Sequence, residues 1–346
     1  MPNDVLTRAI DAAASGTHLT ADHASAVLEE IMGGRAGEVQ TGAFLIALRT
    51  KGETVAELVG LARTMRGLAA GVAPGRLDLV DTAGTGGGPS TFNISTAAAL
   101  VAAGAGCAVA KHGNRSATSR SGSADLLEAL GVTIDLEPDK VARCIDEIGF
   151  GFMFAPRHHA AMKHVVGVRQ ELAVRTIFNF LGPLTNPAGA RRQLLGVSDP
   201  AYQEVIAEAL IGLGCERAMV VRAEDGIDEI SISGETRVIE VADGRTAEWF
   251  ARPDELGLPL AEAELIAGGT PEQNAATVSA VLAGERGPAR DVVALNAAAA
   301  NLVGGGADDL PGGIDRANEA IDSGAARELL ARLVETSGRL ASAAQD

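Results

Sequence analysis

Residues 81–96 read DTAGTGGGPSTFNIST, and KHGNR follows at 111–115. A glycine-rich turn lets backbone N–H groups approach an anion, and a helix start directly behind it adds a positive dipole end. Asn93, Ser95 and Thr96 bring side-chain donors and oxygens to that helix start. The second loop adds Lys111, His112, Asn114 and Arg115, then Thr118, Ser119, Ser121 and Ser123 leading into a helix. Together these suit a polyphosphate-bearing ligand. Two familiar phosphate motifs do not fit. A P-loop ends in Gly-Lys-Ser/Thr where Pro89, Ser90 and Thr91 stand, and a dinucleotide fingerprint wants an acidic residue near the place of Lys111.

Asp228 and Glu229, in DGIDEIS, offer adjacent hard oxygens which with Ser95 suit Mg²⁺, an ion that bridges a few protein oxygens to substrate phosphates. Glu224 and Asp225 read as the solvated acidic pair. A further cluster runs through FAPRHH at 154–159 and VRQELAVRTIFNFLGPLTNP at 168–187. On one helix Arg169 and Arg175 point about 120° apart, so one of them faces a given pocket. A guanidinium in a partly apolar pocket holds a planar carboxylate in a bidentate fork. Pro183 and Pro187 stiffen the turn at 182–186.

These residues need a scaffold. Apolar residues recur at helical spacing over 5–14, 24–32, 41–48 and 55–68, with Thr54 and Glu57 at capping-box spacing. From residue 77 the pattern becomes short apolar runs alternating with helical segments: strands at 77–80, 107–110 and 132–136 and helices at 95–103 and 123–130. Further strands are expected at 194–197 and 218–221 around a helix at 202–213, then a hairpin at 229–241 turning at Gly234-Glu235. Helices at 271–282, 291–302 and 314–334 close the chain. The expected fold is α/β: a large domain with a central, mostly parallel sheet flanked by helices, plus a small all-helical domain.

The chain has 346 residues, 47% of them hydrophobic, enough for a core of that size, and a net charge of −16. That charge disfavours nucleic acid or an anionic membrane as partner. No secretory signal is expected in the first residues, and no apolar stretch is long enough to span a bilayer. Cys107, Cys144 and Cys215 are too widely spaced for a disulfide framework or metal cluster, which suits a reducing cytoplasm.

The motifs GTGG…FNIST, KHGNR…SGSAD, RTIFN.LGPLTNP and DGIDEIS, in this order and spacing, resemble the anthranilate phosphoribosyltransferase family over about residues 5–335. The resemblance implies transfer of phosphoribosyl from 5-phosphoribosyl-1-diphosphate to the amine of anthranilate in tryptophan biosynthesis. It implies donor contacts at Gly84, Gly87, Gly88, Thr91, Asn93, Ile94, Ser95, Thr96, Lys111, His112, Gly113, Asn114, Arg115, Ser116, Ala117, Thr118, Ser119 and Ser123. For anthranilate it implies Gly84, Asn114 and Arg169, with His112, His159 and Pro183 flanking the path. Ser95, Asp228 and Glu229 are implied to hold Mg²⁺, two ions per subunit, and no residue is implied as nucleophile or base; Lys111 and His112 support catalysis. The family fold implies a small domain of residues 1–72 with a piece from about 160–190, a large domain over the rest of 73–346, and a homodimer through the helical part. One departure stands out: the family reads GTGGDGxxTFN, whereas here the loop is one residue shorter and Gly88 replaces the acidic residue.

Three other readings fit less well. A pyrimidine nucleoside phosphorylase shares the architecture but lacks KHGNR and LGPLTNP. A purine-salvage type phosphoribosyltransferase needs paired acidic residues before its glycine turn, and only Asp81 precedes Thr82. A non-catalytic nucleic-acid binder of this fold is expected to have a basic surface and eroded metal ligands.

Overall fold

The computed structural model describes residues 2–116 and 120–343. Ala117, Thr118 and Ser119, expected in the donor loop, lie outside the described residues. Four helices open the chain: α1 (Asp4–Ala14), α2 (Ala21–Met32), α3 (Glu38–Lys51) and α4 (Val55–Leu68). Their starts are built locally. Asn3 accepts from the N–H groups of Val5 and Leu6, Thr20 from that of His23, and Thr54 with Glu57 forms the expected capping box. Glu57 also takes a buried ion pair from Lys51 at 2.9 Å, tying the end of α3 to the start of α4.

The α/β part begins with β1 (Leu79–Gly84), α5 (Ile94–Gly104), β2 (Ala108–Gly113), α6 (Ser123–Ala129), α7 (Pro138–Ile148) and β3 (Phe150–Phe154). Short α8 (Ala155–His158) and helices α9 (Lys163–Leu172) and α10 (Phe178–Leu184) intervene before β4 (Arg192–Gly196), α11 (Gln203–Gly212) and β5 (Arg217–Ala223). A hairpin, β6 (Thr236–Ala242) and β7 (Arg245–Ala251), ends the sheet, and α12 (Pro271–Leu282), α13 (Pro288–Gly304), α14 (Leu310–Asp322) and α15 (Ala325–Ser342) complete the chain. The sheet order is β3-β2-β1-β4-β5-β6-β7, with β1 to β5 parallel and the last two strands antiparallel. Among the described residues no helix is long and apolar enough to cross a membrane.

Side chains alternate between the two faces of the sheet, as the strand period requires. Val80, Val109, Leu194, Met219 and Val221 pack on one face with α5 and α13. On the other face Leu195, Ala218 and Val220 share a cluster with α11 and the four N-terminal helices. The same cluster contains Val165 and Val168 of α9 and Phe178, Leu181 and Leu184 of α10, against Leu28, Ile31, Phe44 and Leu61. The middle of the chain thus completes the packing of its start.

Four expectations about elements need correction. Residues 132–136 form no strand: Val132, Ile134 and Leu136 are buried in alternation, but no neighbouring strand pairs with them, and β3 takes the third place. The hairpin turns at Asp243-Gly244, both at positive φ (52° and 70°), instead of at Gly234-Glu235. The helix expected at 314–334 is two, broken where Gly324 takes φ 81°. Asp225 is not merely solvated, since it accepts from Ser231 Oγ at 2.6 Å and from the Ile227 N–H.

Candidate active site

Strand order reverses at β1, from which β2 and β4 lead away on opposite sides. Ligands of open α/β sheets bind outside the carboxyl ends of the strands at such a point. The glycine loop leaves β1 here and enters α5. Gly86 and Gly87 take φ of 63° and 94°, a region that side chains disfavour. A Cβ on Gly87 would lie 1.6 Å from Arg175 Nη1, one on Gly84 2.3 Å from Asp228 Oδ2, and one on Gly88 2.3 Å from the Gly226 carbonyl oxygen. The loop carbonyls are held: Gly86 O accepts from Arg175 Nη1 at 2.8 Å and Ser198 Oγ at 2.6 Å, and Thr85 O accepts from Arg175 Nη2 at 3.2 Å. Among the described residues the N–H groups of Gly87 and Gly88 have no hydrogen-bond partner.

At the start of α5, Asn93 sits in the left-handed region and works as a hub. Its amide donates to Ser121 O at 3.0 Å, while its Oδ1 accepts from Ser121 Oγ and from Asn274 Nδ2 at 2.8 Å. Ile94 is wholly buried, so only its main chain faces the loop. Thr96 is also buried, and its hydroxyl has no partner.

Asp228 and Glu229 reach the same place from the segment after β5. Asp228 Oδ2 accepts from the Gly86 N–H at 2.7 Å; Glu229 accepts from the Ser95 N–H at 3.0 Å and from Thr91 Oγ1 at 3.2 Å. Burial pushes both carboxyls above their ordinary range, and for Glu229 the neighbouring Asp228 adds to the effect. A cavity about the size of a water molecule lies among Thr82, Ser95, Asp228, Glu229 and Asn296. Two adjacent carboxylates and a hydroxyl, all hard oxygens, fit Mg²⁺, which takes its remaining ligands from water and phosphate.

Lys111 and His112 belong to β2 itself, not to the loop beyond it. Lys111 is buried and donates to Thr82 O, to Thr82 Oγ1 at 3.1 Å and to Ser95 Oγ at 3.4 Å. Burial lowers its pKa, opposed by Asp81 and Glu229. A Cβ on Gly113 would lie 2.2 Å from Ser123 Oγ, and Ser123 in turn donates to Asn114 O at 3.3 Å. Asn114 is exposed, its Oδ1 accepting from the Arg115 N–H. Arg115 turns outward to Asp125 at 2.8 Å and Glu128 at 2.5 Å, so its charge is matched on α6. The Ser116 N–H donates to Asp125 as well.

The other end of the cleft is built differently. His112 Nδ1 meets Gly182 O at 3.2 Å and His158 Nδ1 meets Ala70 O at 2.8 Å, while the His112 and His159 rings lie 5.1 Å apart at 57°. The Nε2 atoms of all three are buried without partner. Burial, then the neighbouring ring, lowers His112 to about 3 and His159 to about 4, so both are neutral at pH 7. Pro183 is buried within α10. Arg169, on α9, is half-buried with no ion pair among the described residues; its guanidinium lies 5.6 Å from the centre of the Phe178 ring, and burial lowers its pKa. Arg175 does not share that helix, because Ala173 at φ 50° ends α9 at Leu172.

The glycosyl transferase family helical bundle domain matches residues 7–69, and the glycosyl transferase family a/b domain matches 76–327. An anthranilate phosphoribosyltransferase of Symbiobacterium thermophilum is 54% identical over 94% of this chain and 96% of its own length. One from Rubrobacter xylanophilus is 52% identical over 97% and 99%. The chain belongs to the anthranilate phosphoribosyltransferase family. Among solved members of the family, the Thermus thermophilus enzyme superimposes with a TM-score of 0.91 at 46% identity, covering 95% of this chain and 99% of that one. The Saccharomyces cerevisiae enzyme, in complex with PRPP and Mg, gives 0.86 at 28% identity, covering 96% and 98%.

Several contributors escaped the sequence reading. Asn274 and Ser198 carry no local motif, and each acts through a contact more than 100 residues away in the chain. Asp81 carries no signal beyond its place before Thr82, yet it is wholly buried and accepts from Asn186 Nδ2 at 2.7 Å and from the His112 N–H at 3.2 Å, joining β1, β2 and the turn after α10.

Proposed function

We propose that the chain transfers the phosphoribosyl group of 5-phosphoribosyl-1-diphosphate to the amine of anthranilate, giving N-(5-phosphoribosyl)anthranilate and diphosphate, a step of L-tryptophan biosynthesis. The observation that carries this reading is the meeting of the four motifs at one switch point, in a chain about half identical to enzymes bearing that name.

Breaking the bond from ribose C1 to the diphosphate oxygen leaves negative charge on diphosphate and positive charge on the sugar. The N–H groups of Gly87 and Gly88 and the start of α5 receive the diphosphate, with the main chain of residues 91–96, Lys111 and His112 at the end of β2, and residues 113–116 around it. Ser95, Asp228 and Glu229 hold Mg²⁺, two ions in our reading, which neutralises diphosphate charge when bound. Arg169, without an ion pair among the described residues and set in a partly apolar wall, takes the anthranilate carboxylate, with Gly84 and Asn114 beside it. His112, His159 and Pro183 flank the amine's path, and neutral imidazoles add no positive charge that would repel the developing sugar cation. The aromatic amine is neutral at pH 7, so positioning and electrostatics suffice without a strong base.

The small unit in this reading is residues 1–72 with about 160–190, and the large unit is the rest of 73–346. A homodimer forms through the helical part, where Val39 and Ile46 of α3 and Val166 of α9 are exposed and apolar. The enzyme works in the cytoplasm. A steady-state assay with both substrates and Mg²⁺ tests the reading: anthranilate-dependent release of diphosphate is expected, and its absence would overturn it.

A further inference from the structure

Resting on the proposed reaction, we propose that Arg175 is a positioning residue for the diphosphate-bearing substrate. It grips the glycine loop by its carbonyls and so keeps the loop N–H groups turned toward phosphate.

Arg175 makes no ion pair among the described residues, although the chain carries a net charge of −16. Two of its donors go instead to consecutive main-chain carbonyls, Thr85 O and Gly86 O. All described peptide bonds are trans, so the C=O of one residue and the N–H of the next point in opposite directions. Drawing Gly86 O toward the guanidinium therefore aims the Gly87 N–H away from it. The same geometry turns the Gly86 N–H, opposite Thr85 O, onto Asp228 at 2.7 Å. One fork thus sets two successive peptide planes, and the donor left free is the one an anion needs.

The fork is itself held from behind. Its carbon lies 5.6 Å from the centre of the Phe180 ring, which stacks on Tyr202 at 3.9 Å and 18°, and the Tyr202 hydroxyl donates to Glu53 between α3 and α4. Gly87 is kept bare by the same contact, since a Cβ there would overlap Nη1. A lysine in this position has one point charge and cannot orient two carbonyls in a plane.

The test uses the full chain with Mg²⁺ and compares Arg175→Ala, Arg175→Lys and the unaltered protein. For both variants KM for phosphoribosyl diphosphate should rise about tenfold or more while KM for anthranilate stays within about twofold, the size expected for losing a charge-assisted hydrogen-bond pair. Methylguanidinium in the buffer should restore part of the donor affinity of Arg175→Ala, which a loss of fold would not allow. Calorimetry with phosphoribosyl diphosphate and Mg²⁺ alone should show the same weakening. Unchanged donor affinity in Arg175→Lys, or both KM values rising together, would overturn the proposal. If the unaltered protein binds the donor but does not turn over, the proposed reaction fails, and the calorimetric comparison still decides the role of Arg175.

Discussion

The two ends of the cleft solve the recognition problem in opposite ways. At the glycine-loop end most side-chain polar atoms are already used within the protein: both Glu229 oxygens, Asn93, Lys111 and Asp228 have partners, and among the described residues what stays free is backbone N–H and the Thr96 hydroxyl. At the histidine end it is side chains that lack partners among the described residues, namely Arg169 and the Nε2 atoms of His112, His158 and His159. A charged, roughly spherical phosphate is met by peptide dipoles on a stiff frame. A flat aromatic acid is met by side chains in a wall of low polarity, where each unpaired group costs free energy until its ligand arrives.

That contrast can be broken in four ways. The largest effect is expected for Asp228→Asn, which removes a carboxylate at the metal position: kcat/KM should fall about a hundredfold or more, and the Mg²⁺ titration should shift to higher concentration. An unchanged titration removes Asp228 from the metal site. Next, Arg169→Ala should raise KM for anthranilate by about ten- to a hundredfold and leave that for phosphoribosyl diphosphate nearly untouched, since a charge-assisted bidentate contact is lost at one end only. Equal effects on both substrates would erase the distinction between the ends.

The third concerns stability. His112 and His159 titrate in the folded protein far below the ordinary value of 6.5, because burial disfavours their charged forms. Below pH 6.5 the unfolded chain takes up protons that the folded one refuses, so stability present above that pH is lost as pH falls toward about 4 and then 3. At pH 5 each ring should cost about 2 kcal/mol relative to pH 7. The groups facing them are each other, His158 and Lys111. Urea melts at pH 7, 6 and 5 should show a shallower decline in the His112→Gln/His159→Gln double variant, and parallel declines would rule these rings out. The smallest effect belongs to Thr96→Val. Its hydroxyl is buried and unpartnered, so stability should change by less than about 1 kcal/mol and donor KM should hold. A large rise in donor KM would mean that Thr96 reaches the substrate.

What could be read from sequence was what is decided locally. The capping box at Thr54, the glycine turn ahead of a helix and the adjacent carboxylates are short-range patterns, and the structure contains each of them. Strand pairing is not local. Residues 132–136 alternate as a strand would and bury the same side chains, but among the described residues no strand pairs with them, and the uniformly apolar FGFMF of β3 has no period to recognise. The Asp243-Gly244 turn did carry a strong hairpin signal that Gly234-Glu235 masked. The roles of Lys111 and Arg115 were hidden for another reason. A cation's direction is set by which carboxylates and carbonyls surround it, and Arg115 finds Asp125 and Glu128 on the next helix before it finds any ligand.

The packing of α9 and α10 onto the first four helices has a consequence for synthesis. The ribosome finishes α4 at Leu68 and does not begin α9 until Lys163. At about 5–20 residues per second, that interval lasts about 5–20 s. For that time Leu28, Ile31, Phe44 and Leu61 lack the covering side chains they meet in the finished protein. The N-terminal helices therefore emerge first but settle late, and their apolar faces are open to chaperones, or to other nascent copies, until the middle of the chain arrives.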